Sequence, residues 1–215
     1  QIIEKEQHNM ADKLNVSELK TVLFAGKSVN NFNKDLSEAD NKLGIGSAAA
    51  EAAATAAALA LLAVNKTNSE DEAMKNAAGN LETLRTYFLH LIDEENKAKL
   101  PLEKRLEANA PENEIEGGYR TACTIVGEII YSVISTVEVL DKVADSLCPC
   151  TAAIASSALF FARTAMETCR VQLAFYSTKM NEEVYARTTK REPEIAIEGV
   201  LPTMEKLLAK FAEAL

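Results

Sequence analysis

Tryptophan is absent from this 215-residue chain, and aromatic residues together make up only 6% of it. Glycine (8) and proline (5) are scarce as well. So few turn formers imply few, long elements, which argues against an all-β protein built from many short strands. Histidine is limited to His8 and His90, and the four cysteines include no CxxC pair. A structural zinc wants paired ligands at regular spacing, so no metal site is expected. Basic residues are outnumbered, 23 against 32 acids, for a net charge of −9. Nucleic-acid binding needs a basic face to neutralise phosphates, and none is legible. The longest uncharged run, residues 146–162, contains Pro149. It falls short of the roughly 20 apolar residues of a membrane span and reads as a buried helix. Residues 1–10 are charged and do not read as a signal peptide. Cys123, Cys148, Cys150 and Cys169 are expected to be small buried apolar residues in a reducing, cytoplasmic setting.

What the chain has in excess is alanine, the best helix former. In residues 48–63, eleven of sixteen positions are Ala. Such a helix is thin all round, lets neighbouring backbones approach closely, and belongs at the centre of a bundle. Ser47 is placed to N-cap it, and it should end near Lys66. Before it, Asn15 and Glu18 suggest a capped helix ending at Gly26, and residues 34–42 have some helical character. Ser69 with Glu72 reads as a capping box opening a helix over 70–98, with Leu81, Leu84, Phe88, Leu91 and Ile92 on its core face. Pro101 should interrupt it, leaving a short helical stretch over 102–108. Residues 114–147 step by threes and fours through Ala122, Val126, Ile129, Val133, Val137 and Leu140. A further helix is expected over 151–185, with Ala155, Leu159, Ala162, Met166, Cys169, Leu173 and Tyr176 inward. Pro193 should end that region, and a last helix over 194–214 should kink near Gly199–Pro202. The expected architecture is an all-α antiparallel bundle of long helices forming one domain over 1–215, with 1–14 a loosely packed extension.

Chemistry is legible in two places. Gly44-Ile45-Gly46-Ser47 precedes the alanine helix, whose free N–H groups and positive dipole end could receive an anionic or carbonyl group. No Lys follows and no strand precedes, so it is not a P-loop. Glycine before a helix is also an ordinary turn. Asp93-Glu94-Glu95 lies near the expected C-terminal end of the 70–98 helix, where carboxylates are unfavourable. An acid kept at such a place suits a general base; the plain alternative is a solvated acidic face. Arg163 and Arg170, one heptad apart, could receive a carboxylate ligand or pair with nearby glutamates, as could Arg85 and His90 near the face of their own helix.

In this order, the pieces resemble the formiminotetrahydrofolate cyclodeaminase and methenyltetrahydrofolate cyclohydrolase family. Its Gly-Gly-Gly-Ser turn and following Ala-rich helix are matched by Gly44-Ile45-Gly46-Ser47 and residues 48–63. The Val64-Asn65-Lys66-Thr67 close matches its Met-Val-Ala-x-Leu-Thr stretch, and Leu91-Ile92-Asp93-Glu94-Glu95 its Leu-Ile-Asp-x-Asp. The resemblance implies an all-α homodimer acting on formimino- or methenyl-tetrahydrofolate. It implies Gly44, Gly46 and Ser47 as substrate-binding residues, Asp93 as the catalytic acid, and no cofactor beyond the folate substrate. Two departures stand out. Ile45 replaces a glycine of the turn. An Asp expected early in the second Ala-rich helix is missing where Thr151-Ala152-Ala153-Ile154 stands. The alternative is a non-catalytic helical dimer, a binding or scaffold protein that kept the fold.

Overall fold

In the computed structural model, residues 24–38 and 43–215 are described. The expected helix after Asn15 lies almost wholly outside them. The helices are α1 (Val29–Ser37), α2 (Ile45–Thr67), α3 (Glu72–Glu107), α4 (Glu112–Val143), α5 (Ala152–Ser177) and α6 (Glu183–Ala212), with a 3₁₀ turn at Pro149–Thr151. No strand occurs among the described residues. The all-α bundle expected from composition is what the chain forms.

The alanine helix α2 is the hub. It packs chiefly against α3 and α5, with α4 on a further side, while α6 covers α5 and α4. Ala50, Ala53, Ala57, Ala60 and Ala63 are fully buried. Methyl groups at those positions let three long helices close in on α2 without voids. Asn68 ends it in the left-handed conformation at φ 50°, a C-cap geometry that asparagine tolerates. Helices α2 and α4 are long and apolar enough to cross a membrane, but most of each apolar stretch is buried inside the bundle. They are walls of one apolar core running from Phe24 to Phe211.

Several boundaries differ from the sequence reading. Helix α3 opens at Asp71, whose carboxylate accepts the Ala73 N–H, and Ser69 instead accepts the N–H of Asp71. Pro101 does not break α3, which runs on to Glu107. A proline inside a helix loses one backbone bond. The turn after it is held because Leu102 is buried against α4, where a Cβ on Gly118 would stand 2.9 Å from Leu102 Cδ1. Pro193 and Pro202 likewise sit inside α6.

The break between α5 and α6 falls at residues 178–182, where no glycine or proline marks it. A long-range cap supplies the stop. Glu116 of α4 accepts the N–H groups of Asn181 and Glu182, and Arg120 bridges Glu116 and Glu182 at 2.6 and 2.7 Å. The Arg120 guanidinium holds the Glu116 carboxyl below its usual range.

The cysteines divide. Cys123 and Cys169 are buried free thiols, and burial pushes the Cys123 thiol up to about 12 and Cys169 upward as well. Both are therefore poor nucleophiles. Cys148 and Cys150 are not buried, contrary to expectation, and are joined to each other across Pro149.

Candidate functional site

The glycine turn, the middle of α3 and the C-terminal half of α5 meet at one end of the bundle. Helix α2 begins at Ile45 with Gly44 as N-cap, so Ser47 does not cap it. Ser47 sits inside the first turn, fully buried, with its hydroxyl directed across to α3. That hydroxyl lies 2.7 Å from Glu95 Oε2 and 3.3 Å from the Ile92 carbonyl oxygen.

Glu95 is the carboxylate at the glycine turn. It is 3% exposed. Neither glycine has a positive φ; what each supplies is space. A Cβ on Gly44 would meet Glu95 Oε1 at 2.5 Å. One on Gly46 would meet Glu95 Cγ at 2.6 Å and Gln172 Oε1 at 3.0 Å. The Glu95 side chain thus lies against the first turn of α2, where the helix dipole favours negative charge. From α5, Gln172 Nε2 donates to Glu95 Oε1 at 3.3 Å and to Tyr176 Oη at 3.0 Å. The Tyr176 ring packs tilted by 57° against Tyr119 of α4, centroids 5.5 Å apart, and burial above all, with the Glu95 charge, pushes its phenol up to about 12. A neutral phenol, an amide and a hydroxyl thus surround one buried carboxylate. Such a set can hold and pass a proton in a site shielded from water.

Asp93 is also buried, but two positions along a helix point to different sides. Its Oδ1 accepts the N–H of Phe24 at 2.8 Å, which ties the chain entering α1 to α3. Because α3 continues for twelve residues past Glu95, neither acid sits at a helix end. The dipole penalty inferred for them does not arise.

In the sequence Glu95 stands out only as part of Asp93-Glu94-Glu95, of which Asp93 reads as the acid. The signal was present, since positions 81, 84, 88, 91 and 95 form one stripe, and a carboxylate on an apolar stripe stands out. Gln172, beside Leu173 in the inward set of α5, carried the same kind of signal. The segment 151–154 belongs elsewhere. It lies at the opposite end of α5, about 30 Å from Gln172 at 1.5 Å per residue. There the Thr151 hydroxyl donates to the Cys148 carbonyl, and the Cys148 N–H donates to Thr67 Oγ1. An acid at that place could not border the glycine turn.

The arginines are not at this site. Arg85 pairs with Glu82 and Arg170 with Glu167, both at exposed positions, and His90 is 3.6 Å from Glu94. Among the described residues, no group of three or more His, Cys, Asp or Glu side chains could hold a metal ion. An open cleft of about 200 Å³ lies between α4 and α6, lined by Cys123, Glu128, Tyr131, Tyr185 and Glu192 among others. It contains none of the turn residues.

A sequence profile of the formiminotransferase-cyclodeaminase family matches residues 28–194. The chain belongs to that family. Its fold is similar to the crystal structure of formiminotetrahydrofolate cyclodeaminase from Thermotoga maritima. The match has a TM-score of 0.77 and 18% sequence identity, covering 87% of this chain and 98% of that one. No curated protein matches it significantly by sequence. The family's matched segment holds the whole polar cluster, from Gly44 to Tyr176.

Proposed function

We propose that this chain is a folate-dependent one-carbon enzyme of the cyclodeaminase or cyclohydrolase type, acting on formimino- or methenyl-tetrahydrofolate. The observation carrying this reading is the buried Glu95 carboxylate at the glycine turn, held by Ser47 and Gln172. In the cyclodeaminase direction, N10 attacks the carbon of the protonated formimino group. A C–N10 bond forms, the bond to the imino nitrogen breaks, and ammonia leaves carrying the proton that N10 gives up. A carboxylate beside both nitrogens moves that proton. Gly44, Gly46 and Ser47 would line the ligand, with Asp93 and Glu95 as the two acids. Glu95 takes the larger share because it stands over the turn. The chemistry calls for no metal and no cofactor apart from the folate substrate. A cytoplasmic location suits a folate substrate and the free thiols of Cys123 and Cys169, while the Cys148–Cys150 bridge does not argue for it.

The test follows the near-ultraviolet absorbance of 5,10-methenyltetrahydrofolate. Its formation from the formimino compound, or its hydrolysis, should run at least tenfold faster with protein than without. No acceleration, together with no thermal shift by folate ligands, would sink the enzyme reading. One observation favours the second reading, a non-catalytic helical dimer. The space left by Gly44 and Gly46 is filled by the protein's own Glu95 side chain.

We also propose a homodimer through the outer face of α5. Phe160, Val171 and Phe175 are 54–60% exposed there. The stripe Phe160, Thr164, Glu167, Thr168, Val171, Phe175 has the same spacing in both directions about its midpoint. A two-fold interface needs that self-complementarity. Antiparallel pairing sets Phe160 of one copy against Phe175 of the other, and Thr164 against Val171. Light scattering should give twice the chain mass for the parent protein and a single chain mass for Phe160→Glu/Phe175→Glu. A monomeric parent, or an unaffected variant, rejects this face.

A further inference from the structure

The bridge between Cys148 and Cys150 does not hold the fold. It joins residues only two apart in sequence, across Pro149. A cross-link constrains the unfolded chain least when its loop is shortest. The turn it spans is secured by other bonds. The Cys148 carbonyl accepts the Thr151 N–H at 2.8 Å and the Thr151 hydroxyl at 2.7 Å. The Cys148 N–H donates to Thr67 Oγ1 at 3.0 Å, and the Thr67 hydroxyl donates to the Ala63 carbonyl in the last turn of α2. None of these bonds uses a sulfur. Opening the bridge therefore leaves the α4–α5 connection and its tie to α2 in place.

The surroundings favour exchange at sulfur. Cys150 is exposed and Cys148 is half-buried. Cys148 Sγ accepts the Cys150 N–H at 3.3 Å. The pair directly precedes α5, a helix of 26 residues with no acidic residue in its first turn. A backbone donor and a long helix N-terminus both stabilise a thiolate. Attack on the exposed Cys150 Sγ would thus release Cys148 as a stabilised leaving group. The chain's other thiols are out of reach, Cys169 about 25 Å along α5 and Cys123 about 30 Å back along α4. The reductant comes from outside.

We propose that Cys148 and Cys150 form a thiol–disulfide exchange site that takes two electrons from small-molecule thiols. A thiolate attacks Cys150 Sγ. The bond between the two cysteine sulfurs breaks, a bond to the incoming sulfur forms, and the electron pair goes to Cys148 Sγ, which takes up the proton the thiol gave up. A second thiolate then attacks the incoming sulfur. A small disulfide leaves, and Cys150 Sγ takes up the second proton. Two thiols are oxidised and the bridge is reduced. The site lies at the opposite end of α5 from Gln172 and is independent of the folate reading.

The test equilibrates the full chain with mixtures of reduced and oxidised glutathione, alkylates the free thiols and locates them by mass spectrometry. Cys148 and Cys150 should be alkylated together and reversibly. Their dithiol-to-disulfide ratio should change about tenfold for each tenfold change in the square of reduced over oxidised glutathione, as a two-electron exchange requires. The melting temperatures of the two forms should agree within about 4 °C. In Cys148→Ser, oxidised glutathione should leave an adduct on Cys150, at least about tenfold faster than on Cys148 in Cys150→Ser. A bridge that stays closed at every ratio, or two thiols that never close, overturns the proposal. So does a larger fall in melting temperature on reduction, which would make the bridge structural. Adducts forming equally fast in the two variants overturn the assignment of Cys150 as the attacked sulfur.

Discussion

Replacing Glu95 by Gln should lower turnover of the formimino substrate by about 10²–10⁴-fold, the usual contribution of a positioned acid–base group. The substitution keeps the side chain's shape and most of its bonding. An amide at position 95 can still meet the Ser47 hydroxyl, 2.7 Å from Oε2, and can still accept from Gln172 Nε2. Only the charge and the exchangeable proton are lost. The melting temperature should therefore move by no more than a few degrees, which separates loss of chemistry from loss of fold. Asp93→Asn is the paired control. It keeps an oxygen for the Phe24 N–H and should cost less activity than the change at Glu95. Steady-state ammonia release measures both. Turnover within twofold of the parent for Glu95→Gln removes this carboxylate from the mechanism. A larger loss from Asp93→Asn would transfer the acid role to Asp93.

The second large effect is on stability. Ala57→Leu should destabilise the protein by about 3 kcal/mol, at the upper end for inserting carbon into a filled core. Ala57 is fully buried in the middle of α2, and three further carbons have nowhere to go without spreading the bundle. Ala58, next in sequence, is only half-buried. Ala58→Leu is accordingly expected to cost far less, although both changes have the same helix propensity. Urea unfolding checks this: the midpoint should fall for Ala57→Leu with an unchanged slope. Equal midpoints for the two variants would mean that α2 is not packed on all sides at Ala57.

The long helices were legible because their apolar residues recur with helical period and their lengths exceed any strand. Their ends were less so. Pro101 and Pro193 read as stops because the local cost of proline is visible in sequence. The packing of Leu102 against α4, which holds the helix past Pro101, is not. The true break at 178–182 is made by Glu116 and Arg120, more than sixty residues earlier. At the site, the glycine turn was legible in the sequence, but the side chain it faces was not. The glycines make room for a carboxylate of the protein itself, and Ser47 serves that carboxylate rather than its own helix end. Gln172 does not stand out, because a lone amide beside Leu173 on an inward face carries no motif, and Glu95 reads as one group with Asp93. That the position near Ile154 lies about 30 Å along α5 from Gln172 is a separation the sequence does not display.

An alanine-built centre has a thermal consequence. Unfolding α2 exposes many methyl groups but little large apolar surface, so this helix adds less per residue to the heat-capacity change than a leucine-rich one would. Its side chains also have no rotamers to freeze on folding. The helix that carries the glycine turn therefore orders with backbone entropy as its main cost, and its small share of the heat-capacity change flattens the stability curve of the whole bundle. The wall behind Glu95 thus belongs to the part of the fold that contributes least to that curvature.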